Sequence, residues 1–373
     1  MQLNSFNPEP FLLLFIMISK TLLRWYHQNK RDLPWRHTKD PYIIWLSEIM
    51  LQQTRVEQGL PYFEKFSEKF PTIKHFARAK EDNILKMWQG LGYYSRARNM
   101  HHAAKQIVKI YNGKFPGEFS ELKKLKGVGE YTAAAIASFA FNKPHAVVDG
   151  NVYRFLSRFF GIKTPVDSPK GKKTFSALAD ELLDKKNPGL HNQAMMEFGA
   201  RMCKPANPDC AACPLNMQCV AFRIKKVRLF PVKSKKQKVK DRYFNYFFIR
   251  WQSKIFLGKR TGNDIWKSLY EFPLIETKRK TSLNKLMQTK EWKDVFKTTH
   301  LHINGNSKSY KHQLSHQTIH AQFYEIKLEA RPPGQILKNF LVIPGDDLKK
   351  YGVPVLIDKF LKTLNFPEGM PSA

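Results

Sequence analysis

Leu125-Lys126-Gly127-Val128-Gly129 joins a helix ending near Lys124 to one starting near Tyr131. Two glycines permit backbone angles that other residues avoid, and the helix that follows points its first amides outward. Such a turn can hold one backbone phosphate of a nucleic acid without reading its sequence. Gly-x-Gly also fits an ordinary helix–helix turn, so the neighbouring sequence decides. From Ser19 to about Phe222 that sequence is almost wholly helical in pattern. Ser95 precedes a helical stretch Arg96–Tyr111, Ser168-Pro169 opens one to Asp184, and Asn187-Pro188 opens one to Met202. These are helix-capping residues, the last two with proline at the first helical position. Val56, Leu60, Phe63, Phe66 and Phe70 fall on one helix face. The first unit therefore reads as all-α.

Charge points the same way. The 373-residue chain carries 63 Lys+Arg against 31 Asp+Glu, a formal net charge of +32. That excess calls for a polyanionic partner, nucleic acid or an anionic membrane surface. The apolar run Phe11–Ile18 is far short of the roughly 20 residues needed to span a bilayer. It has no preceding positive residue and no cleavage site, so it does not read as a signal peptide. The sequence predicts a soluble intracellular protein. The length predicts two domains. Residues 1–17 read as a disordered or over-extended N-terminus before a helix start at Ser19, and residues 18–222 as the helical domain. Residues 223–242 hold ten basic side chains and one acid, Asp241. They fit a solvated linker, a strap across phosphates, or both. Residues 243–368 turn β-rich, in Tyr243–Trp251, Ile255–Lys259 and Gln322–Leu328, with helical patterns near Leu283–Gln288 and Pro354–Leu364. This smaller second domain reads as α+β.

All four cysteines lie together as Cys203-x6-Cys210-x2-Cys213-x5-Cys219. A secreted disulfide framework would spread them along the chain, so a reducing compartment and a metal centre are expected. Zinc ligands usually come as two short-spaced pairs. A single x2 pair between gaps of six and five suits a cubane iron–sulfur cluster better, with zinc left open.

Two acids stand out. Glu48 sits in Tyr42–Gln53 among Ile43, Ile44, Trp45, Leu46, Ile49, Met50 and Leu51. A helix apolar nearly all round is usually buried, and burial raises a carboxyl pKa until the group can act as an acid near neutrality. The alternative is a glutamate reaching solvent or paired with an arginine. Asp149 follows Ala146-Val147-Val148 and precedes Gly150-Asn151 and a helix through Phe160. It reads as a helix cap, a position that favours the ionised form. One protonated and one charged carboxyl are what cleavage of a bond to a sugar requires.

Residues 19–222 resemble the helix-hairpin-helix DNA glycosylase superfamily with an iron–sulfur cluster, and within it the adenine DNA glycosylases, the MutY family. The resembling stretches are Arg31-Asp32-Leu33-Pro34-Trp35-Arg36, Trp45–Thr54, Gly90–Asn99, Lys126–Gly129, Val148–Val152 and the cysteine spacing. The resemblance implies a 4Fe-4S cluster on Cys203, Cys210, Cys213 and Cys219. It also implies removal of adenine mispaired with 8-oxoguanine or guanine, from duplex DNA whose target nucleotide is flipped out. By carry-over, Glu48 would protonate adenine N7, Asp149 would stabilise the oxocarbenium-like sugar, Asn151 would orient Asp149, and Tyr131 would hydrogen-bond nearby. Arg31, Leu33, Trp35, Arg36 and Gln193 would enclose the adenine. Gln53, Thr54, Leu91 and Tyr93 would fill or flank the opposite base, with Gln52 beside them, and Gly127 and Gly129 would meet the DNA backbone. Endonuclease III relatives carry a lysine two positions after the hairpin's last glycine, for Schiff-base attack. That position here is Tyr131, and a phenol cannot form a Schiff base. A monofunctional enzyme is therefore expected over a bifunctional lyase acting on oxidised pyrimidines.

The second domain looks like the family's Nudix-like C-terminal domain. Trp266–Pro273 matches a family stretch that usually has glycine near Lys267. No acid-rich Nudix helix is present, so no pyrophosphatase metal site is expected. Leu314-Ser315-His316 falls where the family has Phe-Ser-His, the loop that senses 8-oxoguanine. Leu314 departs from that pattern. Ser315 and His316 keep it, and without the resemblance they would read as surface-loop polars.

Overall fold

The computed structural model describes residues 8–234, 239–296, 301–314, 316–332 and 334–364. The chain divides into two compact units, residues 1–77 with 99–235 and residues 78–98 with 236–373. Residues 78–98 thus group with the C-terminal unit, although their sequence reads as part of the helical domain.

The first unit is helical. Its principal helices include Pro8–Asn29, Pro41–Met50, Val56–Lys69, Glu130–Phe141, Gly150–Phe160, Pro169–Leu182 and Pro188–Arg201. Ser168 caps Pro169–Leu182 by accepting from the Gly171 amide, as its sequence predicts. The first helix, by contrast, begins at Pro8 rather than at Ser19. Leu14, Phe15 and Met17 pack on the core, so residues 8–17 are not a disordered tail. Apolar contact over that added stretch overrides the capping signal at Ser19.

That core joins the first helix to Gly150–Phe160 and Pro188–Arg201 through Leu22, Trp25, Phe155, Phe159 and Phe198. Phe198 is fully buried. It meets Trp25 and Phe155 edge-on at 5.0 and 5.2 Å between ring centroids. Burial of one such ring contributes about 1.5–3 kcal/mol. The packing fixes Pro188–Arg201 against the helix that Asp149 caps.

The basic run after Cys219 is partly tied down. The Val166 amide donates to the Val232 carbonyl at 3.0 Å. Ser234 donates through its amide and hydroxyl to Asp167, at 2.9 and 3.0 Å. Lys240 to Arg242 already belong to a strand. Arg242 is engaged by Asp264 and Glu276, each at 2.7 Å, and is not available to a phosphate.

The second unit holds a mixed seven-stranded sheet. Its strands are β1 (Lys240–Trp251), β2 (Lys254–Lys259), β3 (Tyr270–Glu271), β4 (Leu274–Thr277), β5 (Leu301–Gln313), β6 (Gln317–Leu328) and β7 (Leu341–Pro344). The order is β3-β2-β1-β6-β5, with β4 also on β1 and β7 on β2. β1 and β6 run parallel, and β5 returns antiparallel on β6. Phe247, Ile249, Tyr324 and Ile326 face Trp292 and Phe296 of helix Lys290–Phe296. On the other face Phe248 and Phe323 meet Phe360 of helix Val355–Leu361. No helix among the described residues is long and apolar enough to cross a membrane.

Candidate active site

Helix Pro41–Met50 starts where Asp40 accepts from the Tyr42 amide at 2.8 Å. Every residue from Ile44 to Met50 is buried. Glu48 is only 7% exposed, so the snorkelling alternative does not hold. The Tyr131 phenol donates to Glu48 Oε2 at 2.5 Å. Tyr131 is in the first turn of helix Glu130–Phe141, placed there by the glycine turn. Gly127 takes φ +79°, and a Cβ there would come within 2.7 Å of Asn99 Cβ. At Gly129 a Cβ would meet nothing within 4 Å, so its backbone is open to an approaching group.

Asp149 caps Gly150–Phe160. Its Oδ1 accepts from the Asn151 and Val152 amides at 2.9 and 2.8 Å. Its Oδ2 accepts from Asn151 Nδ2 at 2.7 Å. All three partners are N–H donors, which suit the carboxylate.

The pKa directions differ from group to group. Burial pushes Glu48 up to about 7; the Tyr131 hydrogen bond opposes this, and Asp149 adds to it. Burial also raises Asp149 above the ordinary carboxyl value, against the Val152 and Asn151 donors. The capping bonds therefore offset burial without overcoming it, which corrects the expectation that a helix end simply favours the charge. The Tyr131 phenol is raised well above its ordinary value, first by burial, and stays protonated.

Glu48, Tyr131, Asp149 and Asn151 line one cavity of about 160 Å³. Arg31, Leu33, Trp35, Arg36, Thr54 and Gln193 line it too. Trp35 is steadied edge-on by Phe63 at 5.0 Å. Among the lining residues that the sequence reading missed are Leu51, Val56, Met196 and Glu197. Glu197 is 1% exposed. Its Oε1 accepts from the Arg31 amide and Nε, and its Oε2 from Arg31 Nη2 and Arg36 Nη2, at 2.7 to 3.0 Å. Burial would raise this carboxyl, but the two guanidiniums carry it down to about 2. One signal was readable: Glu197 stands four residues after Gln193 on one helix, hence on the same face.

The remaining predicted residues lie off this lining. Gln52 Nε2 donates to Thr132 Oγ1 at 3.1 Å, beside Tyr131. Gln53 is exposed in the left-handed region, at φ 57°. Leu91 and Tyr93 group with the second unit. Leu91 is 5% exposed, whereas Tyr93 is 49% exposed at φ 48°. Arg96 donates to the Leu91 and Gly92 carbonyls and lies 5.7 Å from the Tyr93 ring centroid. The His316 carbonyl accepts from the Lys240 amide at 3.2 Å, at the turn between β5 and β6. Ser315 lies outside the described residues.

Cys203, Cys210, Cys213 and Cys219 line a second cavity. Among the described residues no three His, Cys, Asp or Glu side chains converge as for a single ion. Four free cysteine thiols on one cavity are a donor set that suits an iron–sulfur cubane as well as a zinc ion. Arg158, 3% exposed, lies at the edge of that cavity. Its Nη1 contacts Cys203 Sγ at 3.4 Å and its Nε donates to the Val227 and Phe230 carbonyls. Arg154 links this loop to the first cavity, with Nε on the Cys203 carbonyl at 2.7 Å and Nη2 on Asn151 Oδ1 at 2.8 Å.

A helical domain presenting an exposed glycine turn, and two buried carboxyls with unlike partners in one small cavity, defines a base-excision DNA glycosylase of the helix-hairpin-helix class. Residues 46–182 match the family described as "HhH-GPD superfamily base excision DNA repair protein", and residues 245–363 match the NUDIX domain. An adenine DNA glycosylase of Buchnera aphidicola (subsp. Acyrthosiphon pisum) is 37% identical over 313 residues, covering 84% of this chain and 87% of its own. The human adenine DNA glycosylase is 31% identical over 370 residues, covering 84% of this chain and 67% of its own. A thermostable thymine-DNA glycosylase superposes with a TM-score of 0.54 at 28% identity, over 58% of this chain and 100% of its own. An endonuclease III bound to DNA shares the fold, with a TM-score of 0.51 at 22% identity, over 57% of this chain and 97% of its own. The chain belongs to the adenine DNA glycosylase family. It is an enzyme of base-excision repair that acts on adenine in DNA.

Proposed function

We propose that the enzyme hydrolyses the N-glycosidic bond of adenine mispaired with 8-oxoguanine or guanine in duplex DNA, leaving an abasic site and the strand intact. The single observation that carries this reading is the pairing of Glu48, raised to about 7, with an Asp149 that accepts three N–H bonds, on one cavity. A flipped-out adenine enters between Trp35, Leu33, Arg31, Arg36 and Gln193. Glu48 gives its proton to N7, and the base becomes a neutral leaving group. Asp149, oriented by Asn151, holds negative charge beside the developing oxocarbenium sugar. Tyr131 keeps the Glu48 carboxyl aimed, and water completes the hydrolysis.

The opposite base falls to Gln52, Gln53, Thr54, Leu91 and Tyr93, and 8-oxoguanine to Ser315 and His316 of the second unit. The backbone at Gly127 and Gly129 holds a phosphate. Cys203, Cys210, Cys213 and Cys219 would hold a 4Fe-4S cluster, which would brace this loop, and Arg158 would offset part of the thiolate charge. We place the working enzyme in the cytoplasm, as a monomer on DNA.

Single-turnover base release from duplexes with adenine opposite 8-oxoguanine, guanine or thymine tests the reading. Fastest release opposite 8-oxoguanine, with no borohydride-trapped adduct, is expected. Equal rates opposite thymine would overturn the substrate assignment, and a stoichiometric trapped adduct would favour the lyase reading. Purified protein should be brown and carry iron and sulfide. A colourless sample with bound zinc would refute the cluster.

A further inference from the structure

One side chain on the cavity wall has its orientation set from outside the cavity. Gln193 lines the cavity, and Tyr26 does not. The Tyr26 phenol donates to Gln193 Oε1 at 2.7 Å. Tyr26 itself is 2% exposed. Its ring belongs to the helical core, and the Arg36 guanidinium lies 5.6 Å from its centroid. Arg36 is in turn anchored on Glu197 at 2.7 Å. The donor behind Gln193 is therefore held by packing, by a cation over its ring and by a buried ion pair.

A primary amide has an acceptor end and a donor end. With Oε1 engaged by Tyr26, the amide NH2 is the end left for the cavity. Purines differ at the atom such a donor would meet. Adenine has a lone pair at N1, whereas guanine and hypoxanthine carry N1–H. We propose that Tyr26 is a specificity-determining positioning residue: by holding Gln193 Oε1 it turns the amide NH2 toward the base, so that a purine edge with a lone pair is accepted and one with N–H is refused. This rests on the cavity being the adenine site. Two N–H groups face to face leave both donors unpaired in a dry site, a mismatch buried polar groups tolerate poorly. Freed from Tyr26, the amide can turn over and offer Oε1 to an N1–H.

The test compares single-turnover release of adenine and of hypoxanthine, each opposite 8-oxoguanine, in four proteins: wild type, Tyr26→Phe, Gln193→Ala and the double variant. Tyr26→Phe keeps the ring under Arg36 and removes only the hydroxyl. It should lower the adenine-to-hypoxanthine rate ratio about tenfold. In the Gln193→Ala background the same substitution should leave the ratio within about twofold, because no amide remains to turn. Equal loss of both rates with an unchanged ratio, or the same loss of ratio in both backgrounds, would overturn the proposal and leave Tyr26 a packing residue. Gln193→Glu tests it without touching Tyr26. One oxygen still meets the phenol and the other presents an acceptor, so the ratio should fall below that of Gln193→Ala. A Gln193→Glu ratio equal to wild type would also overturn it. Wild-type protein inert on adenine would instead refute the reading of the cavity, and this proposal with it.

Discussion

Two walls of one cavity each bury a glutamate, and the two are driven in opposite directions. Glu48 is 7% exposed and Glu197 1% exposed, so burial alone would raise both. Glu48 does rise, to about 7, because burial outweighs the Tyr131 hydrogen bond and the Arg36 charge that oppose it, and Asp149 adds to the rise. Glu197 falls to about 2, because Arg31 and Arg36 surround it. The lesson is that the partner, not the depth, decides the charge of a buried acid. One wall carries an acid whose proton is held to about pH 7, and the other a fixed negative charge that holds two guanidiniums in place.

The largest expected effect comes from removing the proposed proton donor. Glu48→Gln should lower single-turnover adenine release by roughly 10²–10⁴-fold while duplex binding persists. It should also raise stability at pH 8. The folded pKa of Glu48, about 7, lies above the ordinary 4.5, so the folded state binds the extra proton between them. Stability therefore falls as pH rises through that window, by about 3 kcal/mol, and an amide escapes the penalty. Urea unfolding at pH 8 measures this, and a variant less stable than wild type there would break the comparison.

Glu197→Gln should act in the opposite sense. Loss of a buried partner leaves two guanidiniums unbalanced and costs about 3–5 kcal/mol near neutrality. The folded pKa, about 2, lies below the ordinary 4.5, so this stabilisation is full above 4.5 and lost as pH falls toward 2. The stability gap between wild type and variant should narrow in unfolding curves taken from pH 6 down to pH 3. A gap that does not change with pH would mean that Glu197 works through packing.

Tyr131→Phe sharpens the contrast by the smallest step. The phenol hydrogen bond lowers the Glu48 pKa, so its loss should move the alkaline limb of the pH–rate profile upward. The rate at pH 7 should drop less than about tenfold. A downward shift of that limb would mean that the phenol stabilises the protonated acid.

Glu48 was legible in sequence because it is the one charged residue in the largely apolar stretch Ile43–Leu51. The ion pairs of Glu197 were not, because its two arginines lie more than 160 positions away and only the fold brings them together; helix spacing from Gln193 gave its face alone. Asp149 was readable as a cap from local sequence. Arg154, which joins Asn151 to the cysteine loop, carried no local signal. The start of the first helix was misplaced because a capping serine is a local cue and the packing of Leu14 and Phe15 is not. In the second unit β1 showed as a run of aromatic and branched residues. Strand β5, Leu301–Gln313, escaped because it is rich in His, Asn, Ser and Lys. It lies at the sheet edge, paired only with β6, where alternation need not be strict.

The most direct test is the pH dependence of single-turnover adenine release by the wild-type enzyme on a duplex with adenine opposite 8-oxoguanine. A rate that declines tenfold per pH unit above about 7, as one group with the raised pKa of Glu48 gives up its proton, is the predicted result. A rate that stays level from pH 6 to pH 9 would show that no such proton is needed.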